Sequence, residues 1–152
     1  MLKIRPAEPE DAALVYAFVR ELADYERLSH EVAASEADIA EWGGAPAGFA
    51  LWFYNFTTFR GRCGLYLEDL YVRPEHRGKG IGKALLSHLA RRCAREGLPR
   101  MQWAVLDWNA PSIAFYERLG ARPNADWIVY RLTGAALSEL AARNPQEPSC
   151  SS

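Results

Sequence analysis

Arg77-Gly78-Lys79-Gly80-Ile81-Gly82-Lys83 interleaves three glycines with three cations, and an apolar run follows at once. Glycine lets a backbone take positive φ and approach a ligand closely, so several N–H groups can converge on one oxyanion. A helix that starts there adds unpaired N–H groups and the positive end of its peptide dipoles. Strand, glycine-rich turn, helix is therefore an anion cradle, most often for phosphate. The charge distribution agrees. Residues 73–100 hold eight Lys/Arg and two Asp/Glu, whereas the other 124 residues hold ten and seventeen. That split points to an anionic partner at the loop and leaves room for a cationic one elsewhere. For Arg91, Arg92 and Arg95, beyond the glycines, a solvated helix face is the competing reading. Two nucleotide motifs are excluded: a P-loop needs GxxxxGK[ST], and no Ser or Thr follows Lys83, while GKGIGK does not fit GxGxxG.

The elements that would position this loop follow from periodicity. LKIRP at 2–6 reads as a short strand. Leu14, Val15, Phe18, Val19 and Leu22 recur at three and four, which predicts an amphipathic helix whose first turn is Pro9-Glu10-Asp11. SEADIAEW at 35–42 reads as a second short helix with Ser35 as N-cap. GGAP makes a turn into a long aromatic strand, AGFALWFYNFTTF, and RGRCG links it as a hairpin to LYLEDLYV. IGKALLSHLARRCAREG is a helix closed by Gly97. PRMQWAVLDW is apolar enough to be a central strand. PSIAFYERLGA is a helix, WIVYRL a last strand, ALSELAARN a short helix, and residues 144–152 a flexible tail. With no repeat or linker, residues 1–143 read as one α/β (α+β) domain, a mixed sheet with helices on both faces.

Composition narrows the class. Half of the 152 residues are apolar and 12% are aromatic, enough for a packed core. No run of eighteen apolar residues and no basic leader followed by an apolar stretch occurs, so neither a membrane span nor a secretory signal is expected. Cys63, Cys93 and Cys150 are odd in number and far apart; a disulfide framework and a zinc site are both disfavoured, and a cytoplasmic setting is expected. Cys93 reads as a small apolar filler on its helix. Nucleic acid is disfavoured as a partner because the positive charge sits on the phosphate loop of a mildly acidic chain.

The loop in its setting, a strand ending YVRPEHR, then RGKGIG, then an amphipathic helix, resembles the acetyl-CoA pyrophosphate loop of the GNAT N-acetyltransferase superfamily. IRPA at the start, ELADYE at 21–26, GFALWFYNF at 48–56, LYLEDLYV at 65–72 and LDWNAPSIAFYERLGA at 106–121 resemble its spermidine/spermine (diamine) and thialysine acetyltransferase branch. The resemblance implies a mostly antiparallel sheet, acetyl-CoA as co-substrate, no metal, a small amine as the second substrate, and a homodimer. Members of the branch carry a further strand between the second helix and residues 48–56. Here EADIAEW runs almost directly into GGAPAGF, so one strand before residue 46 is expected to be missing.

The same resemblance assigns roles. The backbone of Leu70, Tyr71 and Val72 would pair with the pantetheine arm as an added strand does. Arg77, Gly78, Lys79, Gly80, Ile81, Gly82 and Lys83 would hold the pyrophosphate, and Asn109, Ala110, Pro111 and Ser112 would touch the cofactor. Tyr116 would protonate or hydrogen-bond the leaving thiolate, a phenol of pKa about 10 serving a thiol of about 8.5. Simple helix packing beside Ile113 and Leu119 is the competing reading for Tyr116. Glu68 would bind the substrate ammonium and help remove its proton; a buried ion-paired carboxylate is the competing reading. Asp69, next to it on a strand, should face the other way, which excludes a paired dyad. Tyr25, Glu26, Gln102, Trp103 and Ala104 would line the amine site, where acids and aromatic rings suit a cation; for Glu26 a surface charge and for Trp103 plain core compete. The implied reaction is direct acetyl transfer to a primary amine of a polyamine or thialysine-like substrate, with the thioester carbonyl polarised by a backbone N–H near Leu70. Acetylation of a protein N-terminus or lysine, and a non-catalytic CoA-binding module, are the alternatives. His30, His76 and His88 receive no role.

Overall fold

The computed structural model describes residues 1–26, 36–57 and 61–142. The chain forms two compact units, residues 1–106 and 107–152. The first contains β1 (Leu2–Pro6), α1 (Ala12–Glu26), β2 (Glu36–Trp42), β3 (Ala45–Thr57), β4 (Arg62–Val72), α2 (Ile81–Glu96) and β5 (Met101–Gln102). The second contains α3 (Ala110–Arg118) and α4 (Gly134–Ala142). The sheet runs β1-β2-β3-β4-β5 in space, antiparallel except for the last pair.

The segment read as a second helix is β2. It pairs with β1 from Leu2↔Trp42 to Pro6↔Asp38 and with β3 along its whole length, so a strand does stand before residue 46 and none is missing there. Ala- and Glu-rich sequence favours a helix in isolation, but Asp38, Ile39 and Ala40 are all buried between two neighbouring strands, and that burial overrides a preference of a few tenths of a kcal/mol per residue. The Gly43-Gly44 turn closes the hairpin to β3. Ser35, residues 58 and 59 at the end of the expected aromatic strand, Arg60 of the RGRCG link and the 144–152 tail lie outside the described residues.

Register places the two helices on opposite faces. Phe49 and Leu51 of β3 and Tyr71 of β4 pack with Phe18 and Leu22 of α1. Phe18 stacks on Phe49 with ring centroids 5.4 Å apart. Residues of the other parity meet α2: Trp52 Nε1–H donates to Asp38 at 2.9 Å, His88 Nε2 lies 3.4 Å from the same carboxylate, and the Arg92 guanidinium covers the Trp52 ring at 4.6 Å. Ile81, Leu85, Leu89 and Cys93 form the buried stripe of α2, as the spacing predicts. Burial pushes the Cys93 thiol up.

Two strand expectations are corrected. The strand expected at 99–108 is reduced to Met101–Gln102 and lies at the sheet edge; its pairing with β4 stops at Tyr66↔Gln102, two residues before the register of β4 shifts at Glu68. Residues 127–132 form no strand; Val129 is 91% and Tyr130 89% exposed. Apolar residues at both parities favour an extended chain, yet a strand exists only where a neighbour completes its hydrogen bonds. No described helix is long and apolar enough to cross a membrane.

The entry to α1 is held by Arg5. Its Nη2 donates to Asp11 at 2.9 Å and its Nε to Glu41 at 3.1 Å, while the Glu8 N–H donates to Asp11 at 2.9 Å. The guanidinium, with that amide, lowers the Asp11 carboxyl from 3.8 to about 2. A carboxyl depressed on folding stabilises the fold above its unfolded value and loses that contribution as pH falls through its folded value. Asp11→Asn should therefore melt below the wild type at neutral pH, and the gap should close as pH falls from about 4 to about 2. A gap that persists unchanged at pH 2 would assign the effect to something other than ionisation.

Candidate active site

Strand β4 carries the feature on which the site is built. Leu51 pairs with Asp69 and Trp52 with Leu67, which leaves Glu68 without a partner on β3: a β-bulge. A bulge bends its strand and increases the local twist. It also breaks side-chain alternation. Leu67 stands opposite Trp52 on the α2 face and Asp69 opposite Leu51 on the α1 face, so Glu68 shares a face with one of them. The strict alternation assumed along β4 is therefore interrupted between Leu67 and Asp69. Glu68 is exposed, which disfavours a buried ion pair for it. Its charge helps burial to raise the Tyr66 phenol.

Beyond Tyr66↔Gln102, the β5 side of β4 meets no strand among the described residues. Leu67–Val72 is thus an edge without a neighbouring strand on that side, held in register on its other side by Gly48↔Val72, Phe49↔Tyr71 and Ala50↔Leu70. Gly48 allows that close approach: a Cβ there would come within 2.4 Å of the Tyr71 carbonyl oxygen. Leu70 and Val72 are half-buried, and Tyr71 is buried. Burial, then Glu21, raises the Tyr71 phenol.

The loop follows directly. A short 3-10 turn, Pro74–His76, is closed by His76 N–H to Arg73 O at 2.9 Å and Arg77 N–H to Pro74 O at 3.1 Å. Gly78 has φ +73° and Gly80, the residue that caps α2, has φ +82°. Both positions are open, with nothing within 4 Å of an added Cβ, so conformation rather than crowding demands glycine. Gly82 lies in the first turn of α2. Lys79 and Lys83 are exposed and Ile81 is buried. Arg77 turns back on the strand: its Nε donates to the Val72 carbonyl at 2.9 Å, and its guanidinium lies 5.9 Å from the Tyr71 ring centre.

The remaining candidates are distributed as follows. Tyr25 and Glu26 end α1, and their side chains lie outside the described set. Gln102 sits on β5, Trp103 just past it; both are half-buried, and Ala104 is exposed. In the second unit Asn109 is buried and caps α3, its Oδ1 accepting from the Ser112 N–H at 3.3 Å. Ala110 and Pro111 open the helix, and Tyr116 is half-buried, its ring 5.3 Å from that of Phe115. Among the described residues, no group of three or more His, Cys, Asp and Glu could hold a metal.

An open strand edge running into a left-handed glycine turn at a helix start suits a long ligand with amides at one end and a diphosphate at the other. Residues 4–121 match the acetyltransferase (GNAT) family model. The chain belongs to the GNAT acetyltransferase family. This N-acetyltransferase is 34% identical over 166 residues to the thialysine N-epsilon-acetyltransferase of Bos taurus, covering 92% of this chain and 97% of that one. It is 43% identical over 94 residues to an L-ornithine N5-acetyltransferase of Arabidopsis thaliana, covering 62% and 41%. Among solved structures, an integron cassette protein from the mobile metagenome of V. cholerae superimposes with a TM-score of 0.79 at 26% identity, covering 93% and 98%. GNAT enzymes use acetyl-CoA as co-substrate, and the β4 edge and glycine loop of this acetyltransferase fit it.

Reading the sequence missed the bulge, which has no local signature in LYLEDLYV. It also missed Arg73 and Glu21, whose pairing spans fifty-two residues of chain. It left His88 without a role; Asp38 is its neighbour, and a carboxylate inside an Ala/Ile stretch was the available signal.

Gly80→Ala should cost about 1–2 kcal/mol, because a Cβ disfavours the left-handed backbone although there is room for it. Gly80→Asn should recover part of the loss. Chemical denaturation measures both; an Ala variant as stable as the wild type would show that the turn does not need positive φ.

Proposed function

We propose that the enzyme moves the acetyl group of acetyl-CoA directly to a primary amine of a small cationic substrate, a polyamine or a thialysine-like amino acid. The observation that carries the cofactor half of this reading is the β4 edge at Leu70–Val72, beyond the reach of β5, continuing into the glycine turn. Leu70, Tyr71 and Val72 offer backbone N–H and C=O groups to the amides of the pantetheine arm. The amides of Gly78–Lys83, with Lys79 and Lys83, receive the diphosphate; Arg77 joins them by leaving the Val72 carbonyl. A backbone N–H freed by the bulge near Leu70 polarises the thioester carbonyl. The amine half rests on the relatives, whose names specify side-chain amines of thialysine and ornithine.

Glu68, exposed beside the bulge, takes the ammonium proton through water. Tyr116, assigned by family resemblance, supplies a proton or a hydrogen bond to the departing thiolate, with Asn109, Ala110, Pro111 and Ser112 contacting the cofactor. Tyr25, Glu26, Gln102, Trp103 and Ala104 surround the amine. We read residues 1–143 as one catalytic domain in a cytoplasmic homodimer. The exposed apolar residues Trp127, Ile128, Val129 and Tyr130 support a second copy as the cover for that segment.

The test is calorimetric titration with acetyl-CoA, then thiol release across a panel of polyamines, thialysine, ornithine and peptide amines. Binding with turnover on a small amine is expected. Turnover on peptides alone would replace the substrate class, binding with no turnover would leave a CoA-binding module, and no binding would reject the loop assignment. Tyr116→Phe should lower kcat about 100-fold and leave acetyl-CoA affinity within about threefold; unchanged turnover removes Tyr116 from the chemistry. Glu68→Gln should raise the amine KM and alter the pH profile of kcat/KM, and an intact profile would discard its role as base.

A further inference from the structure

Arg73 stands one residue past β4 and one before the turn that opens the glycine loop. Its Nε and Nη2 donate to the two oxygens of Glu21 at 3.1 and 2.8 Å. Its Nη1 donates to the Pro46 carbonyl at 3.1 Å, and its guanidinium covers the Phe18 ring at 4.9 Å. The Arg73 N–H donates to Ala47 O at 2.9 Å, and its carbonyl accepts the His76 N–H that closes the 3-10 turn. The guanidinium lowers the Glu21 carboxyl, and Glu21 in turn helps burial to raise the Tyr71 phenol. One side chain therefore joins α1, the start of β3, the end of β4 and the loop. The fork geometry is specific to arginine: two parallel N–H groups match one carboxylate while a third reaches elsewhere, which a lysine ammonium cannot reproduce.

We propose that Arg73, held by Glu21, is a positioning residue that fixes the end of β4 and the first turn of the glycine loop in the geometry that receives acetyl-CoA, without touching either substrate. The inference rests on the cofactor placement proposed above. Val72, whose backbone would bind the pantetheine arm, is the preceding residue, and Gly78 and Gly80 follow within seven. Rotation of the chain at Arg73 displaces them all together. On the loop side a further side-chain bond runs from the Arg77 Nε to the Val72 carbonyl of β4 itself, whereas Arg73 reaches α1 and β3.

Three variants, Arg73→Met, Arg73→Lys and Glu21→Gln, separate positioning from long-range charge. Loss of a cation near an anion site would weaken binding by its field alone. Loss of the Glu21 carboxylate should then tighten it, whereas positioning requires that Glu21→Gln weaken it too. The expected result is an acetyl-CoA Kd raised about 10-fold in Arg73→Met and several-fold in Glu21→Gln, with kcat at saturating acetyl-CoA within about twofold. Arg73→Lys should recover less than half of the loss. The double variant should bind no more weakly than Arg73→Met, since the two residues act as one unit. Trypsin cleavage at Arg77, Lys79 and Lys83 of the ligand-free protein gives a readout independent of the cofactor, and should be several-fold faster in Arg73→Met and Glu21→Gln. Unchanged cleavage, tighter binding in Glu21→Gln, or additive losses would each overturn the proposal. A wild type that does not bind acetyl-CoA would reject the cofactor placement, while the cleavage rates would still decide whether Arg73 orders the loop.

Discussion

A sheet cannot keep every backbone group paired and also offer backbone groups to a ligand. The bulge at Glu68 resolves that conflict within one strand. At Leu65 and Tyr66, just before it, β4 is paired on both sides; after it, no described strand accompanies β4 on the β5 side, while β3 holds the other side in register. An open edge in the middle of a sheet would ordinarily invite association with other chains. Here it is short, bent by the bulge, and ends in a loop rich in cations. The rest of the first unit serves this geometry. Phe18, Leu22 and Phe49 brace Tyr71 from one face, and α2 packs on the other with its first turn at the end of the glycine loop.

The second constraint is polar and lies under α2. Asp38 is 1% exposed; the Trp52 N–H donates to it and His88 faces it. Leaving the indole N–H without an acceptor in that place would cost about 1–3 kcal/mol. The arrangement fixes how α2 is rotated on the sheet, since Asp38 on β2, Trp52 on β3 and His88 on α2 must all converge. A helix packed by leucines alone could slide by a turn and carry the amides of the glycine loop with it. The buried acid thus acts on a specific helix setting more than on net stability.

What could be read from the chain and what could not divides along physical lines. The glycine loop, α1, α2 and α3 were legible because their signals are local: a 3.6-residue apolar period, a proline near the start, a glycine past the end. The glycine turn that opens α2 was legible because positive φ and helix starts leave a composition trace. β2 was misread because Glu36–Trp42 favours a helix locally and becomes a strand only between β1 and β3. The length of β5 was misread because the partner that sets its pairing lies thirty-odd residues away, on β4. WIVYRL shows the same limit from the other side: strand propensity without a partner strand yields an exposed segment. Of the site, the backbone groups followed from motif and resemblance, whereas Arg73 and Glu21 belong to a contact that no local pattern encodes.

The glycine loop also shows why a motif and a site are different things. Glycine at 78 and 80 permits the turn, but permission is not preference; a chain that can adopt left-handed backbone at two positions can adopt much else. Such a loop must therefore be fixed at its ends. At the far end α2 does this, with Ile81 buried and the Ala84 N–H returned to Gly80 O. At the near end there is no helix, only the last residue of an open-edged strand. A side chain that reaches back across the sheet is the available solution, and arginine is the residue that can bond a carboxylate in two places and a carbonyl in a third. The freedom that the glycines give the loop thus creates the requirement that their neighbour be held.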